Sequence, residues 1–243
     1  MFDGIFSMDS PFARFMAKIA DFMILNIVFA MSIVPIVTIG ASITAMYDVL
    51  TRMDTRKEVT AAAGFVKSFK SNLKQSTILW IIEVIVLAII ALDLYLVGNV
   101  LDFTVTTKVT LFIVFLILFF AVIMVFGYAF VLQARMENTV GKTIRLSAAL
   151  TLVYLIPNSI FTGIINLLPV AILFMFTQLF FAVFPVWIFG GIPALAYVNS
   201  RIYMRILRKY VPEFNEDKKE AEYQPLKSLE QVEEELVEDE VNG

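Results

Sequence analysis

The chain has 243 residues, 59% of them hydrophobic, and a mean hydropathy of +0.82. Soluble domains run nearer about 45–50% apolar, so the excess here must face lipid. The sequence contains no cysteine and no histidine. Disulfides, thiolate metal sites and cysteine nucleophiles are thereby excluded, and so are zinc hydrolase, haem and Ser-His-Asp chemistries that need histidine.

The net charge of −3 hides a division along the chain. Residues 1–211 hold 16 Lys+Arg and 10 Asp+Glu, while residues 212–243 hold 3 Lys and 12 Asp+Glu. The body reads as a basic-edged membrane domain (1–211) and the remainder as an acidic, disordered cytoplasmic tail. The first apolar run begins near residue 19 and is longer than a signal-peptide core, with Asn26 and Pro35 inside it, so it reads as a retained span.

A span needs about 20 mostly apolar residues to cross about 30 Å of hydrocarbon. Segments 19–39, 77–99, 109–132 and 146–166 meet that rule. Residues 168–199 read as one further span broken at Pro185, Gly190–Gly191 and Pro193. The expected fold is an all-α integral membrane bundle of about five helices. A count of Lys and Arg sets its orientation. Segments 51–76, 134–145 and 200–211 carry 13 of them, against Arg14, Lys18 and Lys108 in the intervening segments. The expectation is an N-terminus outside and a C-terminus in the cytoplasm, although Arg14 and Lys18 run against it. A six-span alternative divides 168–207 in two and puts Arg201, Arg205, Arg208 and Lys209 outside.

Between the first two spans, residues 62–76 place Phe65, Phe69 and Leu73 on one helical face with Lys67, Lys70 and Lys74 elsewhere. That is the pattern of an amphipathic helix at the membrane surface, and equally of a basic loop. Within the second span, Glu83 and Asp93 are intramembrane acids, about 15 Å and about 80° apart on a helix. They could serve a proton- or cation-responsive pathway. In the simpler reading, Glu83 is protonated or meets Arg135 or Arg145, and Asp93 reaches the outer interface. Carboxylate-pair catalysis needs separations of about 5–9.5 Å, which this spacing exceeds. Asn26 is a further polar site, of the kind that makes interhelical hydrogen bonds. No phosphate-binding glycine loop or serine elbow is present. No catalytic, cofactor or metal site is expected, and basic residues cluster where topology wants them, so nucleic-acid binding has no support.

One frame occurs twice: Pro35, Gly40 and Tyr47 recur as Pro185, Gly190 and Tyr197. Pro removes an intrahelical hydrogen bond and Gly loosens the next turn, so broken helices are expected near Pro35/Gly40 and Pro185/Gly190. Tyr47 and Tyr197 would lie at headgroup depth on the cytoplasmic side, beside a candidate docking point.

The stretches "LNIVFAMSIVPIVTIGASITAMYDVLTR" (25–52) and "FVKSFKSNLKQSTILWII" (65–82) resemble the YesL-like family of bacterial multi-pass membrane proteins. Pro35, Thr38, Gly40, Ala45 and Tyr47 carry the first pattern. Phe65, Phe69, Lys70, Asn72, Lys74 and Gln75 carry the second. The resemblance is read as spanning residues 1–211. It implies a plasma-membrane protein without an established activity, linked to carbohydrate uptake through ABC transporters. Expected partners are the lipid bilayer and components of such a transporter; homo-oligomerisation stays open. The competing expectation is a small transporter or channel using Glu83 and Asp93.

Overall fold

The computed structural model describes residues 11–54, 60–136, 139–153 and 190–210. These are helical, with no strand among the described residues. In chain order they form α1 (Pro11–Ser32), a 3₁₀ turn (Ile36–Thr38), α2 (Ile39–Asp54), α3 (Ala61–Tyr95), a π turn (Leu96–Val100), α4 (Val105–Arg135), α5 (Val140–Val153) and α6 (Ile192–Tyr210). Three helices are long and apolar enough to cross a membrane: residues 15–32 within α1, α3 with its π turn, and α4.

The chain breaks between α1 and α2 because Pro35 supplies no backbone donor and disfavours helix just before it. The freed carbonyls are satisfied locally. Ile33 N–H donates to Phe29 O (3.1 Å), and the Thr38 hydroxyl reaches both Ser32 O and Pro35 O at 2.7 Å. A break in an apolar setting needs such internal closure, since lipid offers no partner. Gly40, expected to loosen the turn, lies instead inside α2. A Cβ there would meet the Ser76 carbonyl and come within 2.6 Å of Trp80 Cβ. Its role is close helix contact. Ala41, Ser42, Thr44 and Ala45 beside it are small and buried, so neighbouring helices can approach α2 closely.

Contacts fix the directions of the helices. Gly40 meets Ser76 and Trp80, so α3 runs back along α2. Gln75 pairs with Gln133, and Gly98 lies 3.3 Å from Phe112 as judged at its Cβ position, so α4 is antiparallel to α3. Tyr47 contacts Tyr203, which also stacks edge-on against Tyr128 at 4.5 Å. At the other end of this line, Phe22 packs at Gly190 and Tyr197, and Lys18 Nζ donates to the Tyr197 hydroxyl at 2.7 Å. Helix α1 therefore runs opposite to α6 and α2. Together α1 and α2 form a hairpin whose open end faces the α2–α3 connection.

The expected alternation puts Lys18 and Arg201 on opposite membrane faces; in the structure both contact the same Tyr197 phenol. An apolar length of about 20 residues does not distinguish a helix that crosses from one that turns back.

Residues 62–76 also differ from a separate surface element. They are the opening turns of α3, which continues unbroken to Tyr95. With the π turn, α3 covers 40 residues, about 60 Å, twice the hydrocarbon thickness. Its two halves have different surroundings. The inner half packs with α2, the end of α4 and α6 into one core containing Leu25, Leu50, Phe65, Leu79, Leu132 and Leu207. The outer half and the facing part of α4 present Ile85, Ile89, Leu92, Ile113, Leu116 and Ile117, all more than half exposed or close to it. The segments 146–166 and 168–199 fall largely outside the described residues, as do Pro185 and the tail 212–243.

Two substitutions separate close packing from helix propensity. Gly40→Val should lower stability by about 1–3 kcal/mol, because the Ser76 backbone cannot yield to a side chain. Gly141→Ala, which meets nothing within 4 Å, should leave the protein unchanged or raise it by up to about 1 kcal/mol. Thermal unfolding in one detergent checks both, and an unfolding temperature for Gly40→Val at or above wild type would contradict the packing.

Candidate functional site

The inner half encloses an open cleft of about 920 Å³ where α2 ends, α3 begins, and α4 passes to α5. Helix geometry selects the lining. On α3, Thr60, Gly64, Lys67, Ser71 and Lys74 recur at spacings of three and four, so they share one face toward the cleft. Lys70 stands at the edge of that face and is absent from the lining. On α2, Asp48 and Arg52 are one turn apart, and Arg52 Nε lies 2.7 Å from Asp48 Oδ1. Helix α4 contributes Gln133, Ala134 and Arg135 from its last turn. Among the described residues the charged lining is Arg52, Lys67, Lys74 and Arg135 against Asp48, four cations and one anion.

Below the cleft floor, polar side chains tie the helices together. Gln133 donates its amide to Gln75, while its carbonyl accepts from the Thr143 hydroxyl at 3.3 Å. That chain joins α3, α4 and α5. Ser147 and Thr151 return their hydroxyls to the carbonyls of Thr143 and Ser147, at 2.7 and 2.8 Å. Such self-satisfied hydroxyls allow polar residues to be buried at low cost. Tyr47 is buried, with Asn199 as a hydrogen-bond partner.

The residues singled out in the sequence are not brought together. Glu83 is buried in α3, and its Oε2 has no hydrogen-bond partner among the described residues. Asp93 is half-buried farther along the same helix. Neither lines the cleft. Arg135, named as a counter-ion for Glu83, lies in the cleft with Asp48. Asn26 is buried on α1. Pro35 marks the break after α1, and its carbonyl accepts from Thr38 N–H at 2.9 Å.

The paired frame has two outcomes. Gly190 has φ 124°, a left-handed conformation that favours glycine, and a Cβ there would approach Phe22 Cβ to 3.2 Å. Tyr197 is half-buried, with Lys18 4.1 Å above its ring and Arg201 at 5.0 Å. Tyr47 is a core residue at 8% exposure. The sequence reading missed Asp48, Gln75, Gln133 and Arg135 as a group. The Asp48–Arg52 spacing was a visible signal, but it counts only once 39–54 is known to be helical.

A family model described as "Protein of unknown function, DUF624" matches residues 22–94. The window takes in the second half of α1, all of α2 and nearly all of α3, and it contains both stretches that carry the YesL-like resemblance. It is narrower than the 1–211 expected. Over this window the chain is similar to that family. No curated protein and no solved structure matches the chain.

Gln133 should be the anchor of the α3–α4–α5 tie. Gln133→Leu removes both of its bonds at a buried position and should cost about 1–3 kcal/mol. Gln75→Leu should cost less, because Gln75 is exposed and its partner can rearrange. Unfolding midpoints for the two variants check the order, and a larger loss at Gln75 would contradict it.

Proposed function

We propose that the chain is a non-enzymatic accessory or scaffold protein of the bacterial plasma membrane, linked to carbohydrate uptake of the ABC type. The observation that supports it is the position of the polar cleft. It opens at the basic end of the bundle and excludes both intramembrane acids. A protein that works by contact at the membrane surface needs such a feature there. One that passes a solute through its helices needs polar groups aligned along the bundle. The link to carbohydrate comes from the YesL-like resemblance alone.

The transporter alternative keeps one supporting observation, the buried Glu83 carboxylate. Buried acids in a span are functional candidates by default. Its proposed partner Asp93 lies in different surroundings, about 15 Å along the helix.

The topology follows from the same end-to-end asymmetry. Among the described residues, Lys18, Arg52, Lys67, Lys70, Lys74, Arg135, Lys142, Arg145, Arg201, Arg205 and Arg208 belong to the inner end, and Lys108 to the other. The positive-inside rule makes that end cytoplasmic. We infer that α1 starts on the cytoplasmic side and that the α1–α2 hairpin enters the membrane and returns. Lys18 then agrees with the rule.

Crosslinking mass spectrometry on the full chain in native membranes tests the accessory role. Crosslinks from Lys67, Lys70 or Lys74 to components of a carbohydrate transporter are expected. A crosslink map without any such component would remove the proposal, and loss of uptake in Glu83→Gln at normal folded yield would favour the alternative. Because the chain has no cysteine, single-cysteine labelling reads topology cleanly. Asp102→Cys should react with an impermeant maleimide on intact cells, and Phe12→Cys only after permeabilisation. Labelling of Phe12→Cys from outside would rule out the returning hairpin.

A further inference from the structure

We propose that the inner cleft is a binding site for a phosphate oxyanion, carried by an anionic lipid headgroup or by a soluble phosphate ester. The inference stands on the cleft alone and does not depend on the accessory role. Among the described residues its lining gathers Arg52, Lys67, Lys74 and Arg135 from three helices around one carboxylate, Asp48, a net charge of +3 from those residues. Like charges converging on one concavity are mutually unfavourable unless an anion shares it. A phosphate offers several acceptor oxygens at once, matching lysine and arginine donors with the Ser71 hydroxyl between them.

The arrangement is selective along α3. Lys67, Ser71 and Lys74 fall at i, i+4 and i+7, on the face toward the cleft. Lys70 has the same charge and is also exposed, but it stands at the edge of that face and is not among the lining residues. The depth suits a phosphate at the membrane boundary. Gln75 lines the cleft, and exposed apolar surface resumes with Ile78 one turn later. A lipid phosphate could enter from that edge with its chains along Leu73 and Ile78, both exposed. The volume also suits a free ester, since ligand pockets run about 300–1,000 Å³.

The test uses the full chain in nanodiscs. In phosphatidylcholine discs, inorganic phosphate and glycerol 3-phosphate are titrated by calorimetry. In a second arm, retention of phosphatidylglycerol is read by native mass spectrometry. Binding in the first arm identifies a soluble ester, and binding in the second a headgroup. In the arm that binds, Lys67→Gln/Lys74→Gln should weaken binding about tenfold or more, while Lys70→Gln leaves it within about twofold. Both lysines are exposed, so the variants should fold, and equal unfolding temperatures check this. Independently, a cysteine replacing Ser71 should be labelled more slowly when the bound anion is present, and one replacing Lys70 should not. Absence of binding in both arms would overturn the site, as would equal losses from the Lys70 variant and the double variant.

Discussion

The inner half of the molecule depends on one close approach: α2 lies on the backbone of α3 at Gly40, with no side chain between them. Without a hydrophobic drive between helices in lipid, packing of this kind and interhelical hydrogen bonds supply most of the association. The contact sets the register of the two helices. It brings Asp48 and Arg52 level with the first turns of α3, opposite Lys67 and Ser71. A shift of one turn would carry the ion pair about 5 Å along the groove and separate it from the other cleft residues. The same contact holds α2 centrally, where α1, α3, α4 and α6 can all reach it.

The second constraint is electrostatic. The described cations belong to the inner end with one exception, Lys108, so the protein has a strongly basic face. Repulsion on that face is relieved by spreading: most of these side chains are exposed, and Arg52 keeps 42% of its side-chain surface while pairing with the buried Asp48. Asp48 is the member with most at stake, because a buried carboxylate needs its partner and an exposed guanidinium does not. This asymmetry makes Asp48 the organiser of the cleft floor and leaves the exposed lysines available to a ligand.

Much of the helical content was legible in the sequence, because apolar windows near 20 residues have few other solutions. The span 77–99 falls inside α3 with its π turn, and 109–132 falls inside α4. Two features were not legible, for different reasons. The alternation of Phe65, Phe69 and Leu73 with three lysines describes a helix at a boundary, but it does not say whether that helix bends before entering the membrane. In the structure it does not. The antiparallel packing of α1 against α6 was hidden because hydropathy measures length and not direction, and Lys18, which shares the Tyr197 phenol with Arg201, was the available clue. The cleft was least legible of all, since Gln75, Gln133, Asp48 and Arg135 meet only through the register that Gly40 sets.

The repeated Pro–Gly–Tyr frame shows how equal spacing can serve unequal ends. Gly40 is helical and serves interhelical contact, whereas Gly190 has a positive φ in the π turn that leads into α6. Tyr47 is closed into the core with Asn199 and Tyr203, and Tyr197 holds Lys18 and Arg201 near the basic surface. A duplicated unit should keep equivalent residues in equivalent surroundings, apart from drift at its edges. Here the surroundings differ at both positions that can be compared, the glycine and the tyrosine. The shared spacing is better explained by helix termini in an apolar setting, where proline, glycine and tyrosine each have a physical reason to recur. On that account the two frames are joined through space: Tyr197 of the second holds the start of the hairpin that carries the first.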